Sequence, residues 1–145
     1  MTDDGFQVGS IDHVELSVPD RYEAADWYNE ALGFEIVEEF EHWADLSAYP
    51  LMISSDDGNT MLALFKGTPS NGSGGFQRVA FETSGENFLR FRERSEGIPN
   101  IDARGQRNVT DFGRAYSVFF SDPYGHSFEV TTYDYEFVSK KLDQR

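Results

Sequence analysis

Cysteine is absent from this chain of 145 residues, and lysine is confined to Lys66, Lys140 and Lys141. The first absence excludes a disulfide framework, a thiolate metal site and a cysteine nucleophile, so any metal must take nitrogen and oxygen ligands. Also missing is an apolar run of membrane-spanning length. The opening "MTDDGFQVGS" has neither the positive nor the apolar region of a secretion signal, and a cytoplasmic location is expected. No glycine-rich phosphate loop, nucleophile elbow or paired metal-binding histidine motif occurs.

Positive charge is scarce as well: 12 Lys plus Arg face 26 Asp plus Glu, a formal net of -14 spread along the chain. Such a surface repels phosphate backbones and anionic headgroups, which argues against nucleic acid and membrane as partners. An Asp/Glu-rich, Lys-poor balance is expected of a salt-adapted cytoplasm, the plain alternative being an ordinary acidic protein. Apolar content, at 39%, suits one domain, and a chain of this length buries roughly two thirds of its unfolded surface.

What is there is a repeat. "IDHVELSV" (11–18) and "FQRVAFET" (76–83) both alternate in part, and each precedes a helix-like stretch. The first helix is predicted over Arg21 to Leu32, where Tyr22, Ala25, Tyr28 and Ala31 recur at helical spacing before Gly33. The second is predicted over Glu86 to Glu96, with Phe88, Leu89 and Phe91 on one side. Strands are then expected in "FEIVEEFEHW", "SAYPLMISS" and "NTMLALFKG", and again in "NIDARGQRNV", "AYSVFFS" and "HSFEVTTY", with turns at "DDGN" and "DPYG". Both halves therefore read β-α-β-β-β, module one over 11–66 and module two over 76–132. A Gly/Ser-rich linker (67–75) joins them and a tail (133–145) carries a short helix over "DYEFVSKKLDQR". The first strand of each module is expected near its centre.

Within "DPYGHSFEV", Glu129 stands between the apolar Phe128 and Val130. It is a metal ligand, half of an ion pair, or a surface residue on a half-exposed strand. His13 lies mid-strand, where a lone histidine is more often a hydrogen-bonded wall residue than a catalyst. His42 is expected at a strand edge and His126 beside the turn. The aromatic content of 15% is mostly core, but a curved sheet needs its inner face lined. Trp43, Tyr49, Phe65, Tyr116, Phe119 and Phe128 are the candidates to line a small-molecule pocket. In "GQRNVTDFGRAYS", Arg107, Asp111 and Arg114 are expected in solvent.

The paired modules, "HVELSVPD" leading into "ADWYNEALGFEIV", and "DPYGHSFEV" together resemble the vicinal oxygen chelate superfamily, which includes glyoxalase I, bleomycin and fosfomycin resistance proteins and extradiol dioxygenases. The resemblance implies an α+β fold of two tandem modules with cupped mixed sheets facing each other around a metal and substrate, and commonly a homodimer. It also implies ligands on the first and last strands of each module. Aligning the repeat places His13 opposite Arg78, an offset of 65, and Ala63 opposite Glu129, an offset of 66. Of these four positions only His13 and Glu129 can ligate. Gln77 joins them if the strand register slips by one. The favoured expectation is thus a degenerate site without a metal cofactor, in which Glu129 is a relic paired with Arg78 beside His13 and a small apolar or planar molecule binds between the modules. A divalent-metal lyase or dioxygenase using His13 and Glu129 is the alternative, and a metal-free enzyme in which Arg78 holds an anionic substrate and His13 or Glu129 acts as general base is a third.

Overall fold

The computed structural model describes residues 5–68, 77–95 and 109–143. Its backbone contacts divide the chain into two compact units, Met1–Pro69 and Ser70–Arg145. The first contains β1 (His13–Val18), α1 (Arg21–Leu32), β2 (Glu35–Ile36), a 3-10 helix (Glu38–Asp45), β3 (Leu51–Ser54) and β4 (Met61–Lys66). The second contains β5 (Val79–Glu82), α2 (Gly85–Ser95), β6 (Thr110–Asp111), β7 (Tyr116–Ser121), β8 (Ser127–Thr132) and α3 (Tyr135–Asp143). Each unit forms one four-stranded mixed sheet, ordered β1-β4-β3-β2 and β5-β8-β7-β6. The β1–β4 and β5–β8 pairs are parallel and the others antiparallel. The expected α+β architecture is present. The first strand of each module, however, ends its sheet rather than lying near the centre, because β4 and β8 run beside it on one side.

Local chemistry accounts for the elements. Asp20 caps α1 by accepting from the Tyr22 and Glu23 amides, and Gly33 closes it at φ 76. Ala24, Ala25, Tyr28 and Ala31 are the buried stripe of α1, which packs on β3 and β4. In module two, Phe81, Phe120 and Phe128 form a chain of ring contacts beneath the helices, with Phe91 of α2 at 5.3 Å from Phe120. The repeat reaches into the turns. Asp56 accepts from the Thr60 amide at 2.8 Å and Asp122 from the His126 amide at 2.8 Å, each four residues ahead, with Gly58 and Gly125 at positive φ nearby.

The segment "FEIVEEFEHW" departs from expectation. After β2, the Val37 amide still bonds the Met52 carbonyl, but Phe40 then bonds back to Val37 and the chain coils into the 3-10 helix. Val37, Phe40 and Trp43 recur every third residue, the period at which side chains eclipse on such a helix. Phe40 and Trp43 stack at 4.5 Å and 13°. His42 therefore belongs to this helix and not to a strand. Residues 69–75 of the expected linker (67–75), residues 100–108 of the strand expected in "NIDARGQRNV", and with them Arg107, lie outside the described residues.

Candidate functional site

Strand register assigns each site residue to a face. In module one, Glu15, Ala63 and Met52 are cross-strand partners, as are His13, Met61 and Ser54. In module two, Ala80, Glu129 and Phe119 are cross-strand partners, as are Glu82, Thr131 and Ser117. Ala63 and Glu129 thus occupy equivalent positions. His13 and Arg78, two residues before Glu15 and Ala80, are equivalent by the same register. Successive side chains alternate between faces, so all four lie on the faces away from the helices. Arg78 immediately precedes β5, and its guanidinium lies over the Phe119 ring, 4.5 Å from the centroid. Gln77 alternates with Val79 to the other side. Arg78 and Glu129 therefore share one face of module two.

The surroundings of the four positions differ sharply. Glu129 is half-buried, and its Oε2 accepts from Ser117 Oγ at 2.7 Å. His13 has both ring nitrogens engaged by acids, Nδ1 with Asp12 at 2.8 Å and Nε2 with Glu15 at 3.2 Å. Hydrogen bonds that the ring donates first to Asp12 and then to Glu15 raise its pKa above the usual histidine value. Ala63 is fully buried in an apolar cluster with Met52 and Met61, against which Val37, Phe40, Trp43 and Phe65 pack. The 3-10 helix thus fills the helix-free face of module one around Ala63.

The proposed pocket residues divide accordingly. Trp43 and Phe65 belong to the packing over Ala63. Tyr49 is 52% exposed, and its carbonyl accepts from Arg21 at 2.6 Å. Phe119 lies on the Glu129 face, with Phe112 edge-on at 6.2 Å. Tyr116 and Phe128 must be reassigned. Alternation along β7 and β8 turns them to the helix side, where Tyr116 stacks on Tyr135 of α3 at 4.7 Å and Phe128 is fully buried. Asp111 is exposed as expected, and it accepts from the Tyr135 hydroxyl at 2.8 and 2.9 Å, which ties it to α3. Arg114 is exposed and His126 half-buried. A cavity of about 290 Å³ bounded by Glu35, Val37, Ser54 and Asp57 contains none of the expected site residues.

Two contributors escaped sequence reading, the Phe40–Trp43 stack and the Ser117 contact to Glu129. The triplet spacing Val37, Phe40, Trp43 was the signal for the first. For the second only the two-residue alternation of Ser117 with Phe119, once paired with β8, points to it.

A divalent metal does not fit this donor set. Ala63 offers a methyl group under aromatic side chains, Arg78 a permanent cation, and His13 already has carboxylates on both nitrogens. Among the described residues no three His, Asp or Glu side chains converge as a metal-binding group.

Residues 10–130 match the model of the Glyoxalase/Bleomycin resistance protein/Dioxygenase superfamily, and the chain belongs to that family. Solved structures with the same fold include a glyoxalase/dioxygenase from Nostoc punctiforme, 20% identical with TM-score 0.67, the match covering 91% of this chain and 98% of that one. The fosfomycin resistance protein FosX from Mesorhizobium loti is 17% identical with TM-score 0.64, covering 94% and 99%. Lactoylglutathione lyase from Agrobacterium tumefaciens is 22% identical with TM-score 0.61, covering 87% and 95%. No curated protein matches the chain. Among the described residues no helix is long and apolar enough to cross a membrane.

Proposed function

We propose that this member of the superfamily binds a small planar, largely apolar molecule without a divalent metal, using Arg78 and Glu129 where relatives would place ligands. The observation that carries the reading is the content of the four equivalent positions: an imidazole held by two acids, a methyl group in an apolar cluster, a guanidinium on an aromatic ring, and a carboxylate held by a serine. Arg78 stacked on Phe119 presents a flat cationic surface, and Phe112, 59% exposed, extends the aromatic area beside it. Such a surface suits a planar ring bearing one anionic group. The chain's net charge of -14 disfavours polyanions. On this reading the protein works as a homodimer in the cytoplasm, and light scattering showing a monomer across micromolar concentrations would refute the dimer.

Calorimetric titration with 2-naphthoate tests the site. Binding should survive EDTA and weaken at least tenfold in Arg78→Ala. Binding abolished by EDTA, or undiminished in Arg78→Ala, would overturn the reading and return the metal-dependent lyase or dioxygenase to first place.

A further inference from the structure

Glu129 has a support that its counterpart in module one lacks. Ser117, fully buried, lies with its Oγ 2.7 Å from Glu129 Oε2 and 2.9 Å from Thr131 Oγ1. Thr131 Oγ1 is also 3.2 Å from the Tyr116 carbonyl. Proton counting orders these contacts. An ionised carboxylate only accepts, and a serine hydroxyl has one proton, so the short contact takes the larger share of the Ser117 proton. Thr131 also has one proton, which it donates to the Tyr116 carbonyl, so the 2.9 Å contact is the longer branch of the Ser117 donation. The result is a short relay in which the Ser117 proton goes chiefly to Glu129, with Thr131, held by its own donation to the Tyr116 carbonyl, as the second acceptor. The contact engages Oε2 of the carboxylate.

The repeat makes this arrangement distinctive. Since Ala63 pairs with Met52 as Glu129 pairs with Phe119, the positions equivalent to Ser117 and Thr131 are Pro50 and Phe65. Neither side chain carries a hydroxyl. A carboxylate that was only a remnant of a lost chelating set would need no pair of hydroxyls restricted to its own module.

We infer that Ser117 and Thr131 are positioning residues that hold the Glu129 carboxylate in one orientation, so that it serves the second module's helix-free face as a fixed hydrogen-bond acceptor for a ligand N–H or O–H group. The inference rests on Glu129 being a working group of the proposed site, and its test does not depend on metal content or on 2-naphthoate. In the full-length labelled protein, NMR should show a slowly exchanging Ser117 hydroxyl proton with a cross-relaxation peak to the Glu129 γ-protons. Ser117→Ala should convert the Glu129 side-chain couplings from single-rotamer to averaged values, and Ser117→Thr should restore them. Thr131→Val, nearly isosteric, should keep the Ser117 hydroxyl signal but shift it downfield, because the competing acceptor is gone and the proton is given wholly to Glu129. Unchanged Glu129 couplings in Ser117→Ala would overturn the inference. So would a wild-type Ser117 hydroxyl that shows no contact to Glu129, a result that decides the matter even if Ser117→Ala fails to fold. Failure here with EDTA-resistant naphthoate binding intact would remove the relay alone and leave the proposed function standing.

Discussion

At the scale of single residues, charge and exposure set the magnitudes. Arg78 and Glu129 are both half-buried, so removing the cation should not reach the several kcal/mol of a fully enclosed pair. Arg78→Ala loses the contact with Phe119, and should lower unfolding free energy by about 1 kcal/mol in urea denaturation. A change below the error of the measurement would place Arg78 outside the site's energetics. His13 offers a pH-dependent counterpart. Its folded pKa is raised by Asp12 and Glu15, so its stabilising contribution is fully present below the unfolded value of 6.5 and is lost as pH rises through the folded value. The side chain is 34% exposed, and solvent screening keeps that contribution to about 0.5 kcal/mol or less. NMR titration should find the His13 pKa above 6.5 in the wild type and lower in Asp12→Asn and Glu15→Gln. Equal titration in all three proteins would refute the assignment.

Elements show what holds each module together. Gly85 begins α2 where that helix meets α3, and its amide donates to Asp134 Oδ2 at 2.6 Å. A Cβ there would come within 2.7 Å of Phe137 Cδ2 and 2.8 Å of Asp134 Cβ. Gly85→Ala should therefore push α3 outward and cost about 1–3 kcal/mol, read by thermal melting, although alanine ordinarily favours a helix. A stabilised variant would contradict the packing. The helices were the most legible elements in the sequence. Asp20 and Gly33 bracket α1 at the expected ends, and the apolar spacing from Phe88 foretells α2. The four equivalent positions were also legible, since the repeat offset matches the strand register residue for residue. The 3-10 helix was not, because "FEIVEEFEHW" mixes acids and aromatics in a way that also suits an edge strand. The choice is made by tertiary packing of Phe40 and Trp43 on Met52, Met61 and Ala63. Tyr116 was misassigned for a related reason: aromatic content marks a residue for burial, but only the register of β7 says on which face.

For the whole molecule, an excess of 26 acidic over 12 basic residues is a standing electrostatic load on the folded state. Added salt screens that repulsion, so the melting temperature should rise steadily with KCl concentration. A melting temperature that falls with KCl would remove salt adaptation from the account. On the proposed reading this member of the family binds its ligand without a metal, since Ala63 and Arg78 fill two of the four equivalent positions. Elemental analysis of the purified protein, extended by titration with Zn²⁺, Ni²⁺, Mn²⁺ and Fe²⁺, tests it directly. The account predicts far less than one metal ion per chain and no saturable binding on titration. One equivalent of any of these metals, retained through purification or bound stoichiometrically, would contradict it.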